Sequence, residues 1–223
     1  MAGEMWGWFS NRPYIVGRRK TGGDSDAKMD VKSKFFRPER RTRSRMKRYE
    51  IRIAGFGGQG VVTVGKIVGA AAALYDKKNA VQTQSYGPES RGGACKSEVV
   101  LSDGKIHYPK VRMADVLVAL SQPALDIYLK DLKPGGILII DPLTVIKEVP
   151  RTDVKVVKVP TAEIALQLGN KKFQNMVALG ALASMTGVIS REAFEKAIKD
   201  SVPPRTLGQN LEAFKKGNEH VRA

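Results

Sequence analysis

The sequence predicts an α/β fold, a Rossmann-like three-layer sandwich in which helices cover both faces of a largely parallel sheet. An apolar strand runs into a glycine-rich turn and then into an apolar helix, in "RIAGFGGQGVVT", residues 52–63. Two later runs, "DVLVAL" and "GILIID", are continuously apolar, which is typical of strands that are covered on both faces. From residue 161 onward the pattern is helical, so the sandwich should carry a C-terminal helical section.

The first half of the chain alternates strand and helix. Ile51 and Ile53 alternate with polar residues up to the turn, which predicts the first strand. Residues 61–75, "VVTVGKIVGAAAALY", predict a mostly buried helix, and residues 79–86, "NAVQTQSY", predict the second strand. Residues 96–102, then Asp103-Gly104 and "KIHY", predict a β-hairpin, because Asp-Gly supplies the positive φ angles of a type I′ turn.

The second half continues the alternation. Residues 115–120 and 136–141 should be buried strands, and "PALDIYLKDL" between them should be a helix with Pro123 in its first turn and Pro134-Gly135-Gly136 at its end. "VKVVKVP" predicts a further strand. Ser190 is a candidate N-cap. The predicted C-terminal helices cover residues 161–168, 175–186, 190–201 and 207–216.

Length and charge divide the chain in two. A chain of 223 residues, 42% hydrophobic, suits one domain with a real core and a tail. Residues 1–45 carry 12 Lys and Arg against 5 Asp and Glu and lack steady periodicity, so we predict a basic, disordered extension. They also lack the long apolar core of a secretory signal. The folded domain should be 46–223, and the hypothesis for residues 1–45 is an upstream-start extension or a dispensable tail.

The composition of the chain limits the kinds of site that it can form. No run approaches 18 apolar residues, so we expect no membrane span. Cys95 is the only cysteine, which rules out an internal disulfide and a cluster held by four cysteines of this chain, and which fits a reducing cytoplasm. His107 and His220 lie far apart, so no zinc site is predicted. The formal charge of +16 favours an acidic protein partner over nucleic acid, since no helix is typical of a recognition helix.

The glycine turn is a candidate anion site. Gly55, Gly57 and Gly60 satisfy G-x-G-x-x-G between a strand and a helix. The first glycine permits a tight turn, the second lets backbone approach a phosphate, and the third lets helix and strand pack closely. The helix N-terminus then offers free N–H groups to an anion. The predicted anion-binding residues are Gly55, Gly57, Gly58, Gln59 and Gly60.

The residues of this turn do not determine which ligand it binds. Dinucleotide sites usually carry an acidic residue at the end of the second strand, whereas here that strand ends in Gln84-Ser85-Tyr86. The residues alone therefore leave three alternatives: a nicotinamide or flavin site, a tight turn without a ligand, and a site for another phosphate-bearing or subunit-borne anion.

A second loop follows the second strand, in "SYGPESRGGACKSEVVLSD". In a parallel sheet, loops at the carboxyl ends of strands face one crevice, so this loop should lie beside the glycine turn. Arg91 can hold a carboxylate or phosphate in a forked contact, or it can simply pair with Glu89. Cys95 should be buried and inert. The residues predicted for this companion loop are Ser85, Tyr86, Gly87, Glu89, Arg91 and Gly92.

Together, "GFGGQGVVTVGKIVGAAA" and "QTQSYGPESRGGACKSEVVLSD" resemble the gamma subunit of 2-oxoacid:ferredoxin oxidoreductases. "DVLVALSQPALDIYLKDLKPGGILIID" fits the same family. The resemblance runs from Met46 to the C-terminus, about four fifths of the chain. It implies that 46–223 is a pyruvate/ketoisovalerate oxidoreductase gamma-type domain.

The resemblance implies a role within a larger cytoplasmic enzyme. Such enzymes oxidatively decarboxylate a 2-oxoacid with coenzyme A and reduce ferredoxin. Thiamine diphosphate and Mg²⁺ lie between alpha and beta subunits, and iron–sulfur clusters lie on the beta or a ferredoxin-like delta subunit. The gamma chain would then supply no catalytic residue and hold none of these cofactors or a metal by itself. Coenzyme A phosphates become the first candidate for the glycine turn, and the companion loop would face the substrate channel or a neighbouring chain.

Within the family, "SYGPESRGGACKSEVVLS" looks most like the 2-oxoglutarate branch, which forms succinyl-CoA. Pyruvate and branched-chain members more often carry an "FGPERRGAP" type of loop, where this chain has Ser90 for the first Arg and Gly93-Ala94-Cys95 for Ala-Pro. The alternatives are a gamma subunit for pyruvate, branched-chain 2-oxoacids or indolepyruvate, a stand-alone nucleotide-binding oxidoreductase, and a basic binding module.

Overall fold

A computed structural model describes residues 14–15, 48–86 and 94–222 of the chain. Seven strands form one sheet in the order β1-β3-β4-β2-β5-β6-β7. Their bounds are β1 Tyr14–Ile15, β2 Tyr49–Phe56, β3 Asn79–Tyr86, β4 Ala94–Ser102, β5 Ala114–Ala119, β6 Leu132–Ile140 and β7 Lys155–Lys158.

The sheet is mixed. Strands β2, β5, β6 and β7 are parallel, while β4 lies antiparallel between β2 and β3. Because β4 reverses direction, β3 runs the same way as β2. We call the edge where β2, β3, β5, β6 and β7 end the carboxyl edge. The glycine turn and the companion loop both begin there, as the sequence predicts, although the intervening strand is antiparallel.

Helices cover the two faces unequally. On one face α1, α3, α4, α5 and α6 pack over Ile51, Ile53, Val99 and Val116. On the other face, among the described residues, α2 is the one α-helix, and the turn 129–131 and the segments 103–113 and 141–154 complete the cover over Ala54, Val100 and Leu117. The predicted three-layer α/β sandwich is confirmed. The helices are α1 Val61–Ala70, continued by the π-helical turn Ala71–Tyr75, α2 Gln122–Tyr128, α3 Thr161–Gln167, α4 Gln174–Thr186, α5 Arg191–Ser201 and α6 Leu207–His220.

Two C-terminal helices touch through their backbones. A methyl group on Gly180 of α4 would lie 2.0 Å from the Phe214 carbonyl oxygen, and one on Gly217 of α6 would lie 2.0 Å from that of Val177. Both positions therefore require glycine for packing rather than for an unusual φ angle. This contact fixes α6 directly against α4 within the C-terminal helical layer.

The predicted hairpin at Asp103-Gly104 is wrong. Strand β4 pairs with β3 on one side and β2 on the other, so no free edge remains for a strand at 105–108. Gly104 instead accepts a hydrogen bond from Asn79 Nδ2 (2.9 Å) at its carbonyl oxygen. The hairpin that forms is β3–β4, whose connection is the companion loop.

The other observed boundaries of helices and strands differ only slightly from the predicted ones. Helix α2 ends at Tyr128 and a 3₁₀ turn Leu129–Asp131 follows, so β6 begins before Pro134-Gly135. Ser190 accepts a hydrogen bond from the Ala193 amide, which confirms the predicted N-cap of α5. In the described part of the chain, no helix is both long and apolar enough to cross a bilayer.

The predicted tail lies mostly outside the described residues. Of residues 1–45 only Tyr14–Ile15 is described, as the two-residue strand β1 paired with Val81 and Gln82 of β3. The boundary at Met46 therefore stays a prediction.

Candidate functional site

The glycine turn joins the centre of the sheet to α1. Gly58 has φ +91° and Gly60 has φ +74°, so both adopt backbone conformations that favour glycine. Gly60 is the N-cap of α1, and no side chain caps the helix there. The amide of Val64 bonds the Gly60 carbonyl oxygen (3.0 Å), whereas the N–H groups of the first turn have no acceptor within the helix. The start of α1 therefore presents, at the carboxyl edge, backbone donors that have no partner among the described residues.

Gln59 holds the turn in place. Its Oε1 accepts a hydrogen bond from the Phe56 amide (2.6 Å), and its Nε2 donates to the Leu120 carbonyl oxygen (2.9 Å) at the end of β5. A methyl group on Gly55 would lie 2.4 Å from Oε1 of Gln59, so Gly55 makes room for this amide. Both polar atoms of the side chain are engaged within the chain. The donors available to an anion are thus the backbone N–H groups and the second N–H of the Gln59 amide.

Asn175 is a residue of this site that the sequence reasoning missed. It lies in the first turn of α4, it is 8% exposed, and a methyl group on Gly60 would lie 2.3 Å from its Nδ2 atom. Its buried Oδ1 has no hydrogen-bond partner among the described residues. No local pattern around Asn175 indicates a site, because the contact depends on how α4 packs against α1.

The companion loop begins beside the turn. Across the sheet, Gly55 pairs with Cys95, and Cys95 pairs with Tyr86, the last residue of β3. Ser85 and Tyr86 therefore lie at the carboxyl edge with the turn. The other predicted residues, Gly87, Glu89, Arg91 and Gly92, lie outside the described residues. Whether Arg91 pairs with Glu89 or holds a ligand stays open, and the binding roles of both loops stay predictions.

Cys95 is buried, as predicted. It is 5% exposed, and burial raises the pKa of its thiol. A raised pKa keeps the sulfur protonated at neutral pH, which lowers its reactivity because the thiolate is the nucleophile. Cys95 is therefore a packing residue.

A cluster of charged side chains lies under α2, on the thinly covered face. Arg52 Nε donates to Glu98 (3.0 Å), and its terminal nitrogens donate to Asp131 (2.7 Å) and to the Val111 carbonyl oxygen (3.1 Å). Lys96 Nζ also reaches Glu98 at 3.0 Å. Because these charges satisfy one another, the cluster ties β2 to β4 and to the segment before β6. In the part of the chain that the structure describes, no three His, Cys, Asp or Glu side chains gather as metal ligands would.

The fold and the turn place the chain in a class: α/β domains with a glycine-rich turn at the carboxyl edge of the sheet, opening a helix. Within that class the family is clear. The chain belongs to the pyruvate ferredoxin/flavodoxin oxidoreductase family, whose model matches residues 50–220.

Individual relatives cover the same region. The 2-oxoglutarate synthase subunit KorC of Methanocaldococcus jannaschii is 53% identical over 174 residues, 77% of this chain and 93% of that protein. The gamma subunit of a keto/oxoacid ferredoxin oxidoreductase from Geobacter sulfurreducens has a similar solved structure, with a TM-score of 0.72 and 45% identity over 77% of this chain and 95% of that one.

A longer protein contains the same domain. The 2-oxoglutarate:ferredoxin oxidoreductase of Magnetococcus marinus, solved with 2-oxoglutarate, coenzyme A and succinyl-CoA bound, matches with a TM-score of 0.73 and 27% identity. The match covers 79% of this chain but 31% of that one. In that relative the domain is one part of a larger polypeptide.

Proposed function

We propose that this chain is the gamma subunit of a 2-oxoglutarate:ferredoxin oxidoreductase. The enzyme would convert 2-oxoglutarate and coenzyme A to succinyl-CoA and CO₂ and pass two electrons to ferredoxin. The observation that carries the proposal is the 53% identity to a 2-oxoglutarate synthase subunit over 93% of that protein's length. The companion loop, whose sequence resembles the 2-oxoglutarate branch, agrees with this assignment.

The chain would act together with alpha and beta subunits, with a ferredoxin-like delta subunit where one exists, and with ferredoxin, in the cytoplasm. Thiamine diphosphate with Mg²⁺ supplies the carbanion chemistry of such enzymes, and iron–sulfur clusters accept the electrons singly. A single cysteine cannot supply the four thiolates of a cluster, so the clusters would lie on the partner subunits. Its contribution would be binding and positioning.

The glycine turn would hold a phosphate of coenzyme A. Three features support this role: the uncapped N–H groups at the start of α1, which have no partner in the described part of the chain, the turn's position at the carboxyl edge, and a relative whose solved structure contains coenzyme A. The companion loop at the same edge would face the substrate channel or a neighbouring subunit.

Replacement of Gly57 by Val tests the role of the turn. A branched side chain at the second glycine blocks the close approach of phosphate to the backbone. In the assembled enzyme we expect the KM for coenzyme A to rise at least about tenfold while the KM for 2-oxoglutarate changes little. Steady-state ferredoxin reduction measures both constants. Unchanged coenzyme A kinetics in a fully assembled variant would exclude the role.

Purification of the tagged protein from its own cells tests the proposed function. With a C-terminal tag and anoxic conditions, we expect thiamine-binding subunits, brown iron–sulfur absorbance, and ferredoxin reduction that depends on 2-oxoglutarate. Pyruvate and 2-oxoisovalerate serve as matched substrates, and faster turnover of either one would assign the chain to that branch instead. A colourless single species would contradict the subunit proposal.

A further inference from the structure

We propose that residues 103–113, which we call the docking segment, form the surface through which this chain binds an acidic segment of a partner subunit. Such docking rests on the proposed function, because it presupposes that the chain assembles with other subunits. The docking segment connects the end of β4 to the start of β5, so it lies at the edge of the sheet opposite the carboxyl edge. The surface is therefore separate from the glycine turn.

The backbone of the docking segment is fixed from inside the domain. Arg48 donates hydrogen bonds to two of its carbonyl oxygens, those of Tyr108 and Lys110 (both 2.8 Å). The carboxylate of Glu50 accepts hydrogen bonds from two successive backbone amides near its end (both 3.1 Å). A segment that is held in one conformation before a partner arrives loses little conformational entropy on binding.

The side chains that this arrangement leaves exposed are rich in positive charge. Lys105, Lys110 and Arg112 are all exposed. Asp103 is the one acidic residue of the docking segment, and Lys78 forms an ion pair with it (3.7 Å). In the described residues, the ion pairs at this edge leave the other three cations without a carboxylate partner. Neighbouring cations that lack carboxylates attract a negatively charged surface.

The C-terminal helices carry a different charge pattern. Residues 191–222 contain seven Lys and Arg against five Asp and Glu, and Arg191 pairs with Glu195 (2.8 Å). Residues 104–113 contain three Lys and Arg and no Asp or Glu. Interspersed charges of both signs are typical of a surface that faces solvent, whereas a surface of one sign steers a partner of the opposite sign.

Aromatic and apolar side chains lie among the cations of the docking segment. Tyr108 is 42% exposed and Met113 is 38% exposed. The guanidinium of Arg112 lies over the Tyr108 ring, 4.7 Å from its centroid. Tyr, Met and Arg are enriched in the cores of protein interfaces, where Lys is depleted. Tyr108, Arg112 and Met113 would therefore form the centre of the contact, with Lys105 and Lys110 at its rim.

A small cleft beside the docking segment points to the same kind of partner. Its volume is about 190 Å³, and it is lined by Arg48, Ser102, Lys105, Ile106, His107 and Tyr108. Sites for small-molecule ligands usually measure about 300–1,000 Å³, so this cleft suits a side chain of another protein better than a cofactor. The partner that fits is a protein segment with an apolar side chain among several carboxylates.

Zero-length cross-linking of the assembled enzyme tests which groups the lysines meet. A carbodiimide activates a carboxylate, the Nζ of a touching lysine displaces the resulting urea, and an amide bond remains. We expect Lys105 and Lys110 to be joined to Asp or Glu of a partner subunit. Lys133 and Asp115, whose Nζ and Oδ1 are 2.7 Å apart, are the internal positive control. A Lys133–Asp115 link without any link from Lys105 or Lys110 to another subunit would overturn the proposal.

Charge reversal measures what the contact contributes to affinity. The full-length chain carrying Lys105→Glu and Lys110→Glu is titrated into the complex of the remaining subunits. We expect the Kd to rise at least about tenfold at physiological ionic strength, because like charges would then face each other. High salt should reduce the difference, since exposed charges are screened. Lys199→Glu with Lys215→Glu is the matched control, because it changes the net charge equally on the surface of mixed sign and should leave the Kd unchanged.

Tyr108→Ala tests the centre of the contact and should raise the Kd about tenfold. Its melting temperature should stay at the wild-type value, because Arg48 holds the backbone carbonyl rather than the side chain. If this variant is less stable, the exposed Lys105 and Lys110 still decide. A wild-type Kd in their double variant, or equal weakening in the Lys199 and Lys215 control, would overturn the docking surface.

The same assays separate this surface from the proposed function. If the lysine variants bind normally while the wild-type enzyme reduces ferredoxin with 2-oxoglutarate, the docking surface is wrong and the proposed function stands. If the wild-type chain binds none of the other subunits, both are overturned. Nucleic acid that is retained by the wild-type chain and lost from the lysine variant would assign the surface to nucleic acid and likewise overturn the proposal.

Discussion

At the scale of single residues, Gly60 connects backbone conformation with the candidate site. Its φ of +74° disfavours any side chain, and the amide of Asn175 occupies the space where a side chain would go. Two separate constraints therefore require glycine at one position. The sequence motif predicts glycine at this position for close packing of helix and strand, whereas in the structure the constraints are a left-handed turn and a contact with a helix that lies far along the chain.

Replacement of Gly60 by Ala should lower the free energy of unfolding by roughly 2 kcal/mol or more, because it combines backbone strain with a collision. Gly58→Ala is the matched control, since Gly58 has φ +91° but open space around it. Its loss should be smaller, about 1 kcal/mol from the backbone alone. Urea denaturation of both variants measures the difference. Equal losses of the free energy of unfolding in the two variants would show that the Asn175 side chain moves aside at little cost.

The charged cluster under α2 also shows what residue types alone cannot predict. Arg52 lies in an apolar strand, and its partners Glu98 and Asp131 come from β4 and from the turn before β6. Nothing local predicts this pairing, because it depends on which strands become neighbours. By contrast, the burial of Cys95 could be predicted from its position within an apolar strand.

At the scale of elements, hydrophobic patterning predicts most of the strands and helices but not their neighbours. The strands at 79–86 and 136–140 and the helices after residue 161 lie where periodicity places them. The Asp103-Gly104 hairpin fails because turn chemistry is a local signal, whereas strand pairing is decided by which edges remain free. β4 has β3 and β2 on its two sides, so a good turn sequence has no strand to connect.

The contact between α4 and α6 yields a prediction at this scale. Gly180→Ala should lower the free energy of unfolding by about 2 kcal/mol or more, because the added methyl group would meet a backbone carbonyl that cannot rotate away. Gly208→Ala, near the start of α6, is the control, since nothing lies within 4 Å of a methyl group there. That change should be neutral or stabilise by up to about 1 kcal/mol. Thermal unfolding of the two variants compares them directly, and a neutral Gly180→Ala would mean that the helices separate at little cost.

At the scale of the whole molecule, residues 1–45 are predicted to be dispensable for the fold. Deletion of residues 1–45 should preserve the fold, because β1 contributes only two residues at the outer edge of β3. The exposed edge of β3 should make the shortened protein more prone to self-association, since unpaired strand edges recruit other strands. Circular dichroism, gel filtration and assembly with partner subunits measure the three outcomes against the full-length protein. Loss of assembly would make the tail a functional part of the enzyme.

The strand order has a consequence for synthesis on the ribosome. β2 is translated before the other strands of the parallel half, yet it lies at the centre of the sheet, between β4 and β5. Its last neighbour, β5, ends only at Ala119, so β2 leaves the exit tunnel long before both of its hydrogen-bonding partners exist. The β3–β4 hairpin, by contrast, has partners close in sequence and can form early. The nascent chain thus passes through a stage in which its central strand still lacks a neighbour, a stage at which protection from aggregation matters most.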